Sequence, residues 1–560
     1  MTQAKQLPKR MNAADAWFLY FERPQTPLHI GSLGIFEGKI PVEKTIEGLA
    51  QRLHLIPRYR QRAVFPPLFS GHPTWEDDPN FSLDRHVRQV DLPAPGTDQQ
   101  LRQLTGELFE EMLPRDRPLW DIVVVHGLQG DRTAYVSRVH HCLVDGVSGI
   151  ELLLALLDMT PNPIPIPPPS EDWQPEPVPD PLASWAEALL DRWSKGVLAL
   201  VESSVNPLDP GGTVRRVTEF ARAVQTTLPA ALRLPSPAIW NRSLSSKRAF
   251  AFNTFSFQEV RGIRGALGGT VNDVCLTILG GAFGSYLQMH GENVKNRRLR
   301  LMTPVNVRSD SQAGEMGNRV SMMLPELPVG IEDPVERLAA IREEMDRRKA
   351  SNQGGAFDEL MRLGELAPSA FHAMAGMAGI PRGTANFVCT NVPGPLIPLY
   401  GSGHRMIASW PLLPLAGDLG LGVAITSYDK SLYFGISCDP TIVTDVDKLS
   451  GFIDEEFQRL REIAGVPASD LPDEIGVKHD APPAPVMKSV PRKTNARRTR
   501  KQAPQASSPP PKASEKTNGR RAKTKVPGSP PAARARRSNG RPPRGQPIPE
   551  VGESTSASSR

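Results

Sequence analysis

The chain has 560 residues, of which 39% are hydrophobic, 22% are charged and 57 are proline; this exceeds one ordinary core and points to two or three domains, with the proline share about twice the usual one. The net charge of +6 joins unlike parts, because residues 481–560 carry 19 Lys and Arg against 3 Asp and Glu, while residues 1–480 carry 47 against 57. A nucleic-acid role would therefore have to rest on the tail alone. Cys142, Cys275, Cys389 and Cys438 lie far apart without a Cys-x-x-Cys pair, which argues against a disulfide framework or a thiolate zinc site and fits a reducing cytosol. The polar, basic residues 1–10 lead into no apolar segment, so no signal peptide is expected. No run reaches the ~18–20 apolar residues of a membrane span, and the chain reads as soluble or peripheral.

In chain order, a strand is predicted over His29–Phe36, then helices over Val42–Leu53 and Asp98–Met112. Strands over Asp121–Leu128 and Thr133–His141 are joined by Gln129-Gly130-Asp131-Arg132, whose Gly and Asp suit a hairpin turn. Pro161–Pro181 lacks the N–H donors for a helix or central strand and reads as an extended linker. A helix is expected over Leu182–Glu202, with Trp185, Leu189 and Trp193 in one stripe. Further helices are predicted over Val271–Met289, Val335–Lys349 and Phe357–Met377, and strands over Leu299–Arg308, Phe387–Asn391, Leu421–Tyr428 and Leu432–Cys438. Strands and helices interspersed in both halves give an α/β or α+β protein with two domains of similar size. From Ala481 onward there are 15 prolines and no aromatic residue, too little apolar surface to offset the entropy of ordering, and disorder is expected.

The chemistry gathers at His140-His141-Cys142-Leu143-Val144-Asp145-Gly146. Side chains alternate along a strand, so His140 and His141 point to opposite faces and one of them can face a given cavity. Asp145 lies beyond the strand end, where Gly146 permits a sharp turn; its carboxylate could orient a histidine or anchor the loop through an arginine. A zinc site lacks a third ligand nearby, a Cys142–His141 dyad fails on the alternation, and Ser148 departs from the Gly-x-Ser-x-Gly elbow. On the motif alone, two satisfied histidines at a strand end remain an open reading.

The sequence resembles the bacterial wax ester synthase/acyl-CoA:diacylglycerol acyltransferases, within the CoA-dependent acyltransferase superfamily. His140, His141, Asp145 and Gly146 match the His-His-x-x-x-Asp-Gly signature. The resemblance extends over about residues 11–465: Met11–Leu19 with Pro27–Gly31, Trp75–Phe81, Pro118-Leu119-Trp120, Val271-Asn272-Asp273, Pro304–Arg308, Gly317–Ser321 and Asn391–Pro395. Each block is weak alone; their order and spacing are specific.

The resemblance implies two similar chloramphenicol-acetyltransferase-like domains with a tunnel at their interface, acyl-CoA entering from one side and the hydroxyl acceptor from the other. The domains would be 1–160, carrying the motif, and 216–480, with 161–215 as linker and amphipathic helix and 481–560 as a disordered basic tail. His141 is implied as general base, since an imidazole with an ordinary pKa of about 6.5 suits that task near neutrality. Asn272 becomes the candidate oxyanion donor, with helix N-cap as its alternative role. Asp145 would pair with an arginine, Arg308 being the candidate. Pro118, Leu119 and Trp120 would shape the substrate channel, with core packing the alternative for the Trp. Acyl-CoA serves as co-substrate, and no metal or cofactor is expected. The acceptor would be diacylglycerol or a long-chain alcohol, met from the cytoplasm at a membrane or lipid-droplet surface to which the basic tail is attracted. Without aromatics to stack on bases, that tail favours membrane over nucleic acid. Two alternatives stay open: an acyltransferase for another alcohol, such as a polyketide-derived diol, and a catalytically silent lipid-binding or scaffold homologue.

Overall fold

Asn12 starts the first helix, α1 (Ala13–Phe21), by accepting the Asp15 amide hydrogen at 2.7 Å, one of the donors a helix start otherwise leaves unpaired. The computed structural model describes residues 8–67, 71–144, 156–162, 165–169, 172–177, 235–306, 320–350, 369–378 and 382–469. Beyond α1 the chain forms β1 (His29–Glu37), α2 (Val42–Ala50), β2 (Gln61–Val64), β3 (Thr74–Asp77), β4 (Val87–Asp91) and α3 (Asp98–Phe109). The hairpin β5 (Trp120–Leu128) and β6 (Arg132–His140) follows. Asp131, at its turn, has φ 49°, the left-handed backbone that Asn and Asp tolerate.

In the second half come β7 (Ala249–Ser256), α4 (Phe257–Leu267), α5 (Val271–Met289), β8 (Arg298–Asn306), β9 (Val320–Met323), β10 (Glu326–Pro328), α6 (Pro334–Ala350) and α7 (Ser369–Ala378). They are followed by β11 (Phe387–Val392), β12 (Tyr400–Gly401), β13 (His404–Leu412), β14 (Leu421–Tyr428), β15 (Ser431–Cys438) and α8 (Val446–Ile463). The result is a mixed α/β protein with two main sheets. One has the order β12-β13-β1-β6-β5-β4; the other runs β10-β8-β11-β14-β15-β7, with β9 on β8.

The two sheets are stitched by chain crossing. β12 and β13 come from the second half, yet β13 pairs antiparallel with β1, Trp410 opposite Leu33. Trp410 Nε1 then donates to Thr254 of β7 at 3.2 Å. A Cβ on Gly435 of β15 would lie 1.8 Å from the Pro411 carbonyl oxygen, so the approach of β15 to β13 requires glycine there.

Helix α5 is buried on nearly every side, which is why its sequence is apolar all round rather than striped. Charge also penetrates this core. Arg337 is 1% exposed, and its guanidinium donates to Glu456 at 2.7 Å and to the carbonyls of Thr277, Ile331 and Glu332. Full satisfaction is what makes a buried charge tolerable, and Gly281 leaves the room, since a Cβ there would strike both Arg337 and Glu456. Among the described residues no single helix is long and apolar enough to cross a membrane.

Candidate active site

β6 ends at His140, whose Cα partner across β1 is His29. His140 is fully buried. Its Nδ1 accepts the Cys142 amide hydrogen at 3.2 Å, so Nε2 carries the ring proton and lies 3.3 Å from Glu22 Oε1. The Glu22 carboxylate also accepts the Leu28 amide hydrogen at 3.0 Å and the Arg115 guanidinium at 2.9 Å. Burial alone would push the Glu22 pKa up; His140, Leu28 and Arg115 outweigh it and hold the pKa at about 2.

His141 takes the other side, as strand alternation requires. Its amide donates to the Leu28 carbonyl at 3.0 Å, extending the β1–β6 ladder by one residue. The imidazole stacks on Phe18 of α1, with ring centroids 4.0 Å apart and planes within 8°, and stays half-buried. Neighbouring Cys142 is buried, and burial pushes its thiol well above the ordinary range, leaving it protonated and unsuited to nucleophilic attack.

His29 is 1% exposed, packed 4.7 Å from the Phe109 ring, and both its ring nitrogens lack a hydrogen-bond partner among the described residues. Burial, then the charge of Arg138, holds its pKa well below 6.5. The unfolded chain therefore takes up this proton first as pH falls, so stability is full above about 6.5 and declines below it, by about 1.4 kcal/mol per pH unit for one proton. His29→Gln is expected to flatten the decline in urea midpoint between pH 7 and pH 5; parallel wild-type and variant profiles would show that His29 does not titrate this way.

In the second half of the chain, Thr270 caps α5 by accepting the Asp273 amide hydrogen, and the Asp273 carboxylate accepts the Thr270 amide hydrogen at 2.8 Å. This corrects the helix-cap alternative for Asn272, which stands inside the first turn. Asn272 Oδ1 instead accepts from Asn391 Nδ2 at 3.1 Å, leaving its own NH2 as the donor end. Both amides line a cavity of about 500 Å³ together with Thr270, Arg264, Lys349 and Ser427.

Residues 11–275 match the wax ester synthase/diacylglycerol acyltransferase catalytic domain, and residues 316–461 match the corresponding C-terminal domain. A Mycobacterium tuberculosis protein named as a diacylglycerol O-acyltransferase is 32% identical over 472 residues, covering 81% of this chain and 96% of its own. A second from that organism is 30% identical over 474 residues, covering 81% and 98%. The chain belongs to the wax ester synthase/diacylglycerol acyltransferase family. In fold it is similar to the wax ester synthase/diacylglycerol acyltransferase of Marinobacter aquaeolei VT8, with TM-score 0.56 and 24% identity over 82% of this chain and all of that one. The first condensation domain of the calcium-dependent antibiotic synthetase also shares the fold, with TM-score 0.52 and 16% identity.

As a family member the protein is an acyltransferase, and its two signature histidines differ in environment. The structure brings His140 to Glu22 and Asn272 to Asn391; His141 follows the end of β6 in the first sheet, and Asn272 stands in the first turn of α5. Pro118, Leu119 and Trp120 are buried, and Trp120 donates to the Tyr59 carbonyl at 2.9 Å while stacking on His86. For Trp120 these contacts are those of core packing, the alternative role the sequence left open. Asp145, Gly146 and Arg308 lie outside the described residues, as do the 182–202 stripe and the tail. Glu22 and Phe18 had no role in the sequence reading. The available signal was the motif itself: a histidine turned into the core needs a buried acceptor, and an acid closing an apolar helix is a candidate.

Proposed function

We propose that the protein transfers the acyl group of a long-chain acyl-CoA to the hydroxyl of diacylglycerol, of a long-chain alcohol, or of both, with His141 as general base. The observation that carries this reading is the unlikeness of the two histidines: His140 is fully buried beside Glu22, while His141 is half-buried and stacks on the Phe18 ring. The names of the mycobacterial relatives support diacylglycerol as acceptor, and that of the Marinobacter protein supports both acceptors.

In the reaction His141 accepts the acceptor's hydroxyl proton as its oxygen bonds to the thioester carbonyl carbon. The C–S bond then breaks, the carbonyl re-forms, and the proton passes from the imidazolium to the departing CoA thiolate. No acyl-enzyme is needed. Asn272 is the candidate donor to the tetrahedral oxyanion, since its Oδ1 is already committed to Asn391 and its NH2 can donate. Acyl-CoA acts as co-substrate without a further cofactor. Because both product types partition out of water, the work belongs at the cytoplasmic face of a membrane or at a lipid droplet, where the basic tail meets anionic headgroups.

The test is CoA release from palmitoyl-CoA with dioleoylglycerol and hexadecanol offered separately. The wild type should release CoA with at least one acceptor, and Asn272→Ala should lower kcat by about 10²–10³-fold. Inertness of the wild type with both would overturn the acceptor class; an unaffected Asn272→Ala would remove the amide from the mechanism.

A further inference from the structure

Strand pairing gives the first sheet a face that leads away from His141. The His141 amide meets the Leu28 carbonyl, and two residues on, Val139 lies opposite Ile30; Ser137 then lies opposite Ser32, and Tyr135 opposite Gly34. With period-two alternation all of these share the side of the sheet that His141 takes in register. His141, Val139, Ile30, Ser137 and Ser32 are each half-buried, whereas the alternating partners Leu33, Val136 and His140 are fully buried. From His141 to Ser137 this floor extends about 13 Å at 3.2–3.4 Å per residue. Ser32, Gly34 and Ser137 then form the floor of a cavity of about 520 Å³ walled by Gly48 and Leu49 of α2 and by Leu156 and Leu157.

One glycine in this cavity is unexplained by packing. A Cβ on Gly48 would meet nothing nearer than 3.6 Å, whereas one on Gly34 would press the Met406 sulfur at 3.3 Å and the Phe36 ring at 3.4 Å; neither has a positive φ. Glycine inside a helix costs about 1 kcal/mol relative to alanine, so Gly48 gives up helix stability and leaves volume unfilled. The charged groups described at the cavity are already paired with one another, Arg52 with Asp158 and Lys44 with Glu47, and Thr45 meets Tyr135 at 2.6 Å. Among the described residues no charge at the cavity is left over for a polar headgroup, and the empty space suits hydrocarbon.

Resting on the acyltransferase reading above, we infer that this face, from His141 past Val139 and Ile30 to the cavity under α2, holds the hydrocarbon chain of the acyl-CoA donor. The floor is a single strand pair wide, and the cavity lies in the lower part of the usual range for small-molecule sites. It therefore suits one chain; the donor always carries one, whereas diacylglycerol carries two. Gly34 and Gly48 set how long a chain fits.

Gly48→Leu improves the helix and fills the cavity. The experiment measures kcat/KM for palmitoyl-CoA and octanoyl-CoA at fixed hexadecanol, and for hexadecanol and octanol at fixed octanoyl-CoA, in wild type, Gly48→Ala and Gly48→Leu. The palmitoyl-to-octanoyl ratio should fall by about 10-fold or more in Gly48→Leu and by less in Gly48→Ala, while the hexadecanol-to-octanol ratio keeps its wild-type value and thermal melting shows a folded protein. An unchanged acyl-CoA ratio overturns the assignment, as does a shift confined to the alcohol ratio, which would give the cavity to the acceptor. If the wild type is inactive with every pair, the proposed function itself fails and this assignment with it.

Discussion

His141→Ala is expected to lower kcat for acyl transfer by about 10²–10⁴-fold, the usual contribution of a positioned general base, with little change in fold. The side chain is half-buried, and its described packing is the stack on Phe18; such a ring pair is worth about 0.5–1.5 kcal/mol, a few degrees in melting temperature. His140→Ala should behave differently. That residue is fully buried beside Glu22, so its loss opens a cavity and strips a partner from a buried carboxylate, and activity should fall because the fold does. Measuring melting temperature and CoA release on both variants separates chemistry from structure. If His141→Ala melts like wild type and still turns over within about threefold of it, the base lies elsewhere.

The parts of this molecule that local rules decide were readable in the sequence. The β5–β6 hairpin was placed within one residue at its ends because a two-residue alternation frames a Gly-Asp turn. Helix α5 was placed over Val271–Met289 as observed, although its cap is Thr270. The alternation by itself also separates His140 from His141. What escaped was decided at long range. β13, with its Pro and Trp, had no local strand signal strong enough to be read; it is a strand because it completes the ladder on β1, nearly four hundred residues earlier. Glu22 follows the same logic, since nothing near it in sequence announces a histidine 118 positions away. The Trp120 N–H likewise found its acceptor at long range, in the Tyr59 carbonyl 61 residues earlier.

Glu22→Gln should be the costliest single change to stability at the site. An exposed ion pair is worth roughly 0–1 kcal/mol, but the side chains of Glu22 and His140 are 1% and 0% exposed, and a buried polar group left without its partner costs about 1–3 kcal/mol, more when it is charged. The glutamine oxygen can still accept from Leu28, yet it offers Arg115 no charge. The pH dependence tests the cause. The Glu22 pKa in the folded protein, about 2, lies below its ordinary 4.5, so as pH falls the unfolded chain takes up the proton first. Its contribution is complete above about 4.5 and is lost progressively as pH falls through that value toward 2. Urea midpoints of wild type and Glu22→Gln should therefore differ most at pH 7 and converge toward pH 3. A gap that stays constant over this range would mean the variant suffers from shape alone. In that event the carboxylate's charge would not be what holds His140, and the division of labour between the two histidines would rest on packing.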